Sequence, residues 1–186
     1  MNTNPSLGGI EQFDLKGKRA LIVGGADGIG FAIARGYVAC NAEVVLADKN
    51  ITLLEERRAA FESLGHHVLT CEVDVADQAS ISQLVSFVIQ TGGIDILVNS
   101  AAITQREPVL EMSDEVWEKI ITINLHGAHA LAKAFASVLV KQGRGGRMIF
   151  ITSTGAYRAS ENYGAYSVSK AGVVMLCKTL ALELAP

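Results

Sequence analysis

The sequence predicts an α/β protein: a doubly wound parallel sheet with helices on both faces. Three observations carry that expectation. Short β-branched runs alternate with amphipathic segments along the chain, making five βα repeats. Runs such as Leu21-Ile22-Val23 and Ile96-Leu97-Val98 lack polar alternation, as strands buried on both faces do. A glycine cluster, Gly24-Gly25-Ala26-Asp27-Gly28-Ile29-Gly30, joins the first run directly to a helical pattern.

The elements follow in order. Arg19–Val23 is an apolar strand ending in glycines, and Gly28–Ala39 has helical spacing. Glu43–Ala47 is a second strand. Ile51–Leu64 is a helix stopped by Gly65. His67–Val73 is a strand, Ser80–Gln90 a helix stopped by Gly92-Gly93, and Ile94–Val98 a strand. Asp114–Gln142 reads as one long helix with Ser113 as its N-cap. Arg147–Ile151 is the fifth strand and Tyr163–Leu184 the last helix. With no Pro/Gly/Ser-rich linker or shift in composition, residues 14–186 are expected to form one domain, preceded by a polar arm at 1–13.

Composition narrows the function. A formal net charge of -3 argues against nucleic acid or an anionic membrane as partner. No uninterrupted apolar run reaches the ~18 residues of a membrane span, since Lys178 and Glu183 break the stretch from Ala171 to Ala185. No signal-peptide pattern opens the chain. The three cysteines, Cys40, Cys71 and Cys177, are widely spaced in apolar sequence and read as buried reduced thiols of a cytoplasmic protein. The histidines come as His66-His67 and His126-x-x-His129; the second pair could share a helix face, but no Cys, Asp or Glu nearby completes a site there, so no metal is expected.

The glycine cluster makes an anion site, because free N–H groups and the helix dipole converge at a helix start. Its spacing is G-x-x-x-G-x-G rather than the commoner G-x-G-x-x-G. Further along, Tyr166 and Lys170 are four residues apart, which on a helix puts them on one face and lets an ammonium stabilise a tyrosinate. Ser153 precedes the tyrosine by thirteen residues.

Together these motifs resemble the short-chain dehydrogenase/reductase family, over nearly all of the chain from about Leu15 onward. The resemblance implies a Rossmann-like fold and a nicotinamide dinucleotide held by Gly24, Asp27, Gly28, Ile29 and Gly30. It also implies cofactor contacts from Asp48 at the end of the second strand, from Asp74-Val75 after the third and from Asn99 and Ala101 after the fourth. Asn99-Ser100-Ala101-Ala102 matches the family's N-N-A-G only in part, and Val23 replaces its usual Thr. Asp48 accepts hydrogen bonds from ribose hydroxyls and repels a 2′-phosphate, and no Arg or Lys occupies the glycine loop, so NAD is expected before NADP.

The implied catalytic set is Asn124, Ser153, Tyr166 and Lys170. Tyr166 moves the proton of a secondary alcohol or its ketone. Ser153 binds the same oxygen. Lys170 supports the tyrosine and holds the nicotinamide ribose, and Asn124 supplies a carbonyl that holds a water near the lysine. The polar loop Thr154–Tyr163, with Arg158, Glu161 and Asn162, suits a sugar or polyol substrate. The alternatives are a 3-oxoacyl thioester reductase and a dinucleotide-binding module without turnover. Family members also pair their two long helices, here Asp114–Gln142 and Tyr163–Leu184, so a homodimer or homotetramer is expected.

Family members continue past the Tyr–Lys helix into further strands and a substrate-covering segment. Nothing matching these occurs before Pro186, so the sequence is expected to be a piece of a longer polypeptide with its fifth strand at a sheet edge.

Overall fold

A computed structural model describes residues 13–185, so the expected arm lies outside the described residues except for the exposed Phe13. The elements are β1 (Arg19–Val23), α1 (Gly28–Ala39), β2 (Glu43–Asp48), α2 (Ile51–Ser63), β3 (Val68–Glu72), α3 (Gln78–Gln90) and β4 (Ile96–Asn99). They continue with α4 (Asp114–Ile121), a π-helical turn (Thr122–His126), α5 (Gly127–Gln142), β5 (Arg147–Phe150), a 3₁₀ turn (Thr154–Ala156) and α6 (Gly164–Glu183). All strand pairs are parallel, in the order β3-β2-β1-β4-β5.

The unalternated apolar runs divide between two cores. Leu21, Val23, Val45, Ala47 and Leu97 point toward α3 and α5, against Leu84, Val88, Leu131 and Phe135. Ile22, Val44, Leu46 and Val98 point the other way, toward Ala34 and Val38 of α1 and Leu54 and Phe61 of α2. Each strand therefore needs apolar residues on both faces, which is why its sequence shows no period of two.

Most boundaries differ from expectation by one or two residues, for local reasons. α3 begins at Gln78 rather than Ser80 because the Asp77 side chain accepts from the N–H groups of Ala79 and Ser80. β4 begins at Ile96 rather than Ile94, since the backbone N–H and carbonyl of Ile94 are both taken by the Gln142 side chain instead of a neighbouring strand. Ser113 caps α4 as expected, through Val116 N–H.

The single long helix is the larger correction. It is interrupted at Thr122–His126, where the Gly127 N–H reaches back to the Thr122 carbonyl. One residue more per turn swings Asn124 inward to 1% exposure. The cysteines are a second correction: all three are free but half-buried.

β5 lies at one edge of the described sheet with alternating exposure. A groove lined by Leu139, Met148, Phe150, Cys177 and Leu180 runs beside it. By length and composition the 20-residue α6 passes for a membrane span. It nevertheless packs against α4, α5 and both short turns, and carries Ser169 and Lys170 buried on its inner side.

Candidate active site

The strand order reverses between β1 and β4, and in such sheets the crevice forms beyond the carboxyl ends of those two strands. A cleft of about 390 Å³ opens there. Gly24, Asp27, Gly28 and Ile29 line it from the turn after β1, and Asp48 and Lys49 from the end of β2. Asp74 and Val75 follow from the turn after β3, and Ser100 to Ile103 from the segment after β4. Thr152, Tyr166 and Lys170 close the far side.

The glycines divide into two kinds. A Cβ on Gly24, at φ +75°, would stand 2.6 Å from the Ala101 nitrogen, and one on Gly30 would strike the Gly24 carbonyl. These two let the turn close on itself and on the segment after β4. Gly28, at φ +54°, has open space where its Cβ would be, which leaves bare backbone toward the cleft. Asp27, the N-cap of α1, makes no side-chain capping bond, and the first turn holds no acidic residue. Its N–H groups and the helix dipole are thus available to an anion.

Gly24→Ala is expected to lower stability by at least about 2 kcal/mol, from left-handed strain and the backbone contact together. That corresponds to a fall of roughly 4–8 °C in melting temperature, checked by thermal denaturation. An unchanged melting temperature would contradict the packing role.

Asp48 is held at the rim, its two carboxylate oxygens accepting from the N–H groups of Ala26 (3.3 Å) and Asn50 (3.1 Å). Asp74 accepts from Ala76 N–H at 2.9 Å. Gly30 and Asn99 do not line the cleft. Asn99 is 6% exposed, and its Oδ1 accepts from Ala101 N–H at 3.1 Å, which orients the wall segment.

α6 brings Tyr166 and Lys170 to the cleft one helical turn apart. The Lys170 Nζ lies 5.8 Å from the Tyr166 ring centroid and donates to the Ile151 carbonyl at 2.8 Å. Burial pushes the Lys170 pKa below the ordinary lysine value, while the carbonyl contact favours the ammonium. Ser153 stands at the start of the 3₁₀ turn that packs on α6. Its Oγ accepts from Gly155 N–H at 3.1 Å, which leaves its own proton to donate. Ser153 is adjacent to the lining of the cleft rather than part of it; Thr152 is the lining residue of that segment.

Asn124 is committed through its side chain. Its Nδ2 donates to the Ile103 carbonyl (2.8 Å) and to Ser169 Oγ (3.1 Å), and its Oδ1 accepts from Ile103 N–H at 2.8 Å. Ser169 Oγ in turn donates to the Tyr166 carbonyl at 2.7 Å. This clamp ties the cleft wall to the helix carrying Tyr166. Sequence reasoning missed Ser169; its signal was a small polar residue three positions after Tyr166, one turn along the same helix.

It also missed a second cluster beside Tyr166. The rings of Tyr163 and Tyr166 are 5.9 Å apart at 59°, and the Arg106 guanidinium lies 4.9 Å above Tyr163. The segment bearing Arg106 is pinned there by Glu107 N–H donating to the Asn162 carbonyl at 3.0 Å.

An all-parallel sheet with a glycine turn at its switch point is the architecture of a Rossmann-like nucleotide-binding protein. More particularly, the chain belongs to the short chain dehydrogenase family of oxidoreductases, whose family model matches residues 18–186. It is 38% identical over 171 residues to a sorbitol dehydrogenase of Cereibacter sphaeroides, covering 91% of this chain and 66% of that protein. It is 36% identical to a galactitol 2-dehydrogenase of Agrobacterium fabrum, with the same two shares covered. Among solved structures, a gluconate 5-dehydrogenase from Burkholderia cenocepacia, in complex with NADP and tartrate, superposes with a TM-score of 0.89 at 31% identity. That match covers 95% of this chain and 69% of the other. The chain thus spans about two thirds of the length of the curated relatives it matches.

Proposed function

We propose that the protein is an NAD-dependent dehydrogenase that interconverts a secondary alcohol and a ketone, with a sugar or polyol as substrate. The observation that carries this reading is that Tyr166 and Lys170 line the same cleft as the glycine turn. The printed activities of the sorbitol and galactitol relatives support the substrate class.

The cleft fits a nicotinamide dinucleotide. Gly24, Asp27, Gly28 and Ile29 would hold its pyrophosphate at the uncapped start of α1, with Gly30 keeping that turn closed. Asp48 would take the adenosine ribose and Asp74 and Val75 the adenine, while Asn99 sets Ala101 in the wall and Lys170 reaches the nicotinamide ribose. When bound, the cofactor supplies the hydride acceptor or donor.

The chain's own residues move and hold the proton. In the oxidising direction the substrate hydroxyl gives its proton to the Tyr166 oxygen as its carbon loses hydride. Ser153 donates a hydrogen bond to the same substrate oxygen, and the Lys170 ammonium stabilises the tyrosinate. Asn124 holds the cleft wall and α6 in register through Ile103 and Ser169.

Preference for NAD rests on Asp48, whose fixed carboxylate repels a 2′-phosphate. Of the nearby cations, Arg57 donates to the Ala26 carbonyl and stacks on Phe31, whereas Lys49 lines the cleft. A homodimer or homotetramer is supported by Val168, Met175 and Leu182, exposed at seven-residue intervals along α6. Three free cysteines support a cytoplasmic setting.

Titrating NADH and NADPH by fluorescence, then offering polyols and ketoses at saturating cofactor, tests the proposal. NADH is expected to bind at least tenfold tighter, and at least one polyol to be oxidised. Tighter NADPH binding with reduction of a 3-oxoacyl thioester would overturn the substrate class and coenzyme. Binding without turnover across the panel would leave a dinucleotide-binding module.

A further inference from the structure

Ser167 follows Tyr166 on α6 and is the exception among the helical serines. Ser63, Ser82, Ser86, Ser137 and Ser169 each donate to a carbonyl three or four residues back on their own helix. Ser80 accepts from Asp74 N–H at 2.9 Å. The Oγ of Ser167 is buried and forms no hydrogen bond, the one buried side-chain polar atom left so among the described residues. A buried hydroxyl without a partner costs stability, and a helical serine ordinarily avoids that cost by turning back to its own backbone. Ser167 does not, so its hydroxyl is held for something else.

It faces the 3₁₀ turn that carries Ser153. A Cβ on Gly155 would stand 3.2 Å from Ser167 Oγ and 3.5 Å from Ser153 Oγ, and apart from Gly155's chain neighbours no other group lies within 4 Å of that point. Gly155 is not among the glycines with positive φ, so its missing side chain serves space rather than conformation. The two hydroxyls are neighbours across the bare face of that glycine. Ser153 Oγ already accepts from Gly155 N–H at 3.1 Å, and a hydroxyl oxygen can accept twice. A change of rotamer at either serine moves its oxygen by about 2 Å, a shift of the size that turns neighbours into bonded partners.

We propose that Ser167 is a positioning residue for Ser153: its hydroxyl donates to Ser153 Oγ while Ser153 gives its own proton to the substrate oxygen. Two donors on Ser153 Oγ leave its proton one direction to take, and they polarise the O–H bond that the substrate oxygen receives. The role rests on the dehydrogenase reading above, in which Ser153 binds the reacting oxygen.

The test measures kcat for hexitol oxidation with NAD in the parent, Ser167→Ala, Ser153→Ala and the double variant, beside NADH titration and thermal denaturation. Ser167→Ala is expected to lower kcat at least about threefold, on the scale of one hydrogen bond, with NADH affinity within about twofold. Its melting temperature is expected to be no lower than the parent's, since alanine strands no hydroxyl. In the Ser153→Ala background the same substitution is expected to leave kcat within about twofold, because the group it acts through is gone. Gly155→Ala places a methyl group between the two oxygens and is expected to lower kcat alike, with little further loss when joined to Ser167→Ala. A smaller fall in Ser167→Ala, an equal fall in both Ser153 backgrounds, or a lower melting temperature overturns the assignment while the dehydrogenase reading stands. If the parent oxidises no hexitol and the wider panel of polyols and ketoses also fails, the dehydrogenase reading falls and takes this inference with it.

Discussion

Tyr166→Phe is expected to reduce kcat by about 10²- to 10⁴-fold, the ordinary contribution of a positioned acid or base, while NADH affinity stays within about threefold. The substitution removes one oxygen and little else. The ring keeps its packing on Tyr163, and Ser169 still has the residue 166 carbonyl to donate to. Lys170 is anchored on the Ile151 carbonyl, independently of the phenol, so the cofactor side of the cleft retains its shape. Steady-state kinetics beside a fluorescence titration separates the two effects. A variant that kept more than a few per cent of parental turnover would remove Tyr166 from the proton-transfer role.

Lys170→Met is expected to lower kcat/KM at least about a hundredfold and to change the pH dependence of stability in a defined direction. Burial lowers the pKa of Lys170 in the folded protein. Between that value and the free-lysine value of 10.5 the unfolded chain binds more protons, so the parent grows more stable as pH rises. The cost of burying the ammonium is present in full below the folded value and fades toward 10.5. Methionine has no proton to exchange. The difference in stability, variant minus parent, is therefore expected to fall as pH rises from 7 toward 10, whatever offset comes from losing the hydrogen bond to Ile151. Urea midpoints measured across that range check it, and parallel curves would show that the lysine titrates alike in both states.

The two substitutions also divide the site by the distance over which its parts interact. Tyr166 and Lys170 share a helix face because they are four residues apart, and the glycine turn is contiguous, so both were legible as spacings along the chain. The parallel sheet followed from unalternated apolar runs joined by helices, whereas its strand order is read from the structure. Helix ends were less legible. Asp77 sets the start of α3 by capping, and apolar periodicity gives no sign of a cap. The π-helical turn escaped because its residues have ordinary helical spacing; what holds it is Asn124 reaching Ile103, twenty-one residues earlier, and Ser169, forty-five later.

The sequence alone therefore determined the alternating architecture, the glycine turn before α1 and the placing of Tyr166 and Lys170 on one helix face, since each is written in intervals short enough for local geometry to enforce. Only the tertiary structure decided that Gly24 is a packing glycine against Ala101, that Asn124 is a clamp between the cleft wall and α6, and that Arg106 lies over the Tyr163 ring. Those depend on groups that meet only after the sheet has closed, and close approach between distant segments leaves no period in the chain. The pair of Tyr166 and Lys170 was readable as chemistry. Which molecule reaches it is decided by side chains that become neighbours only in the fold.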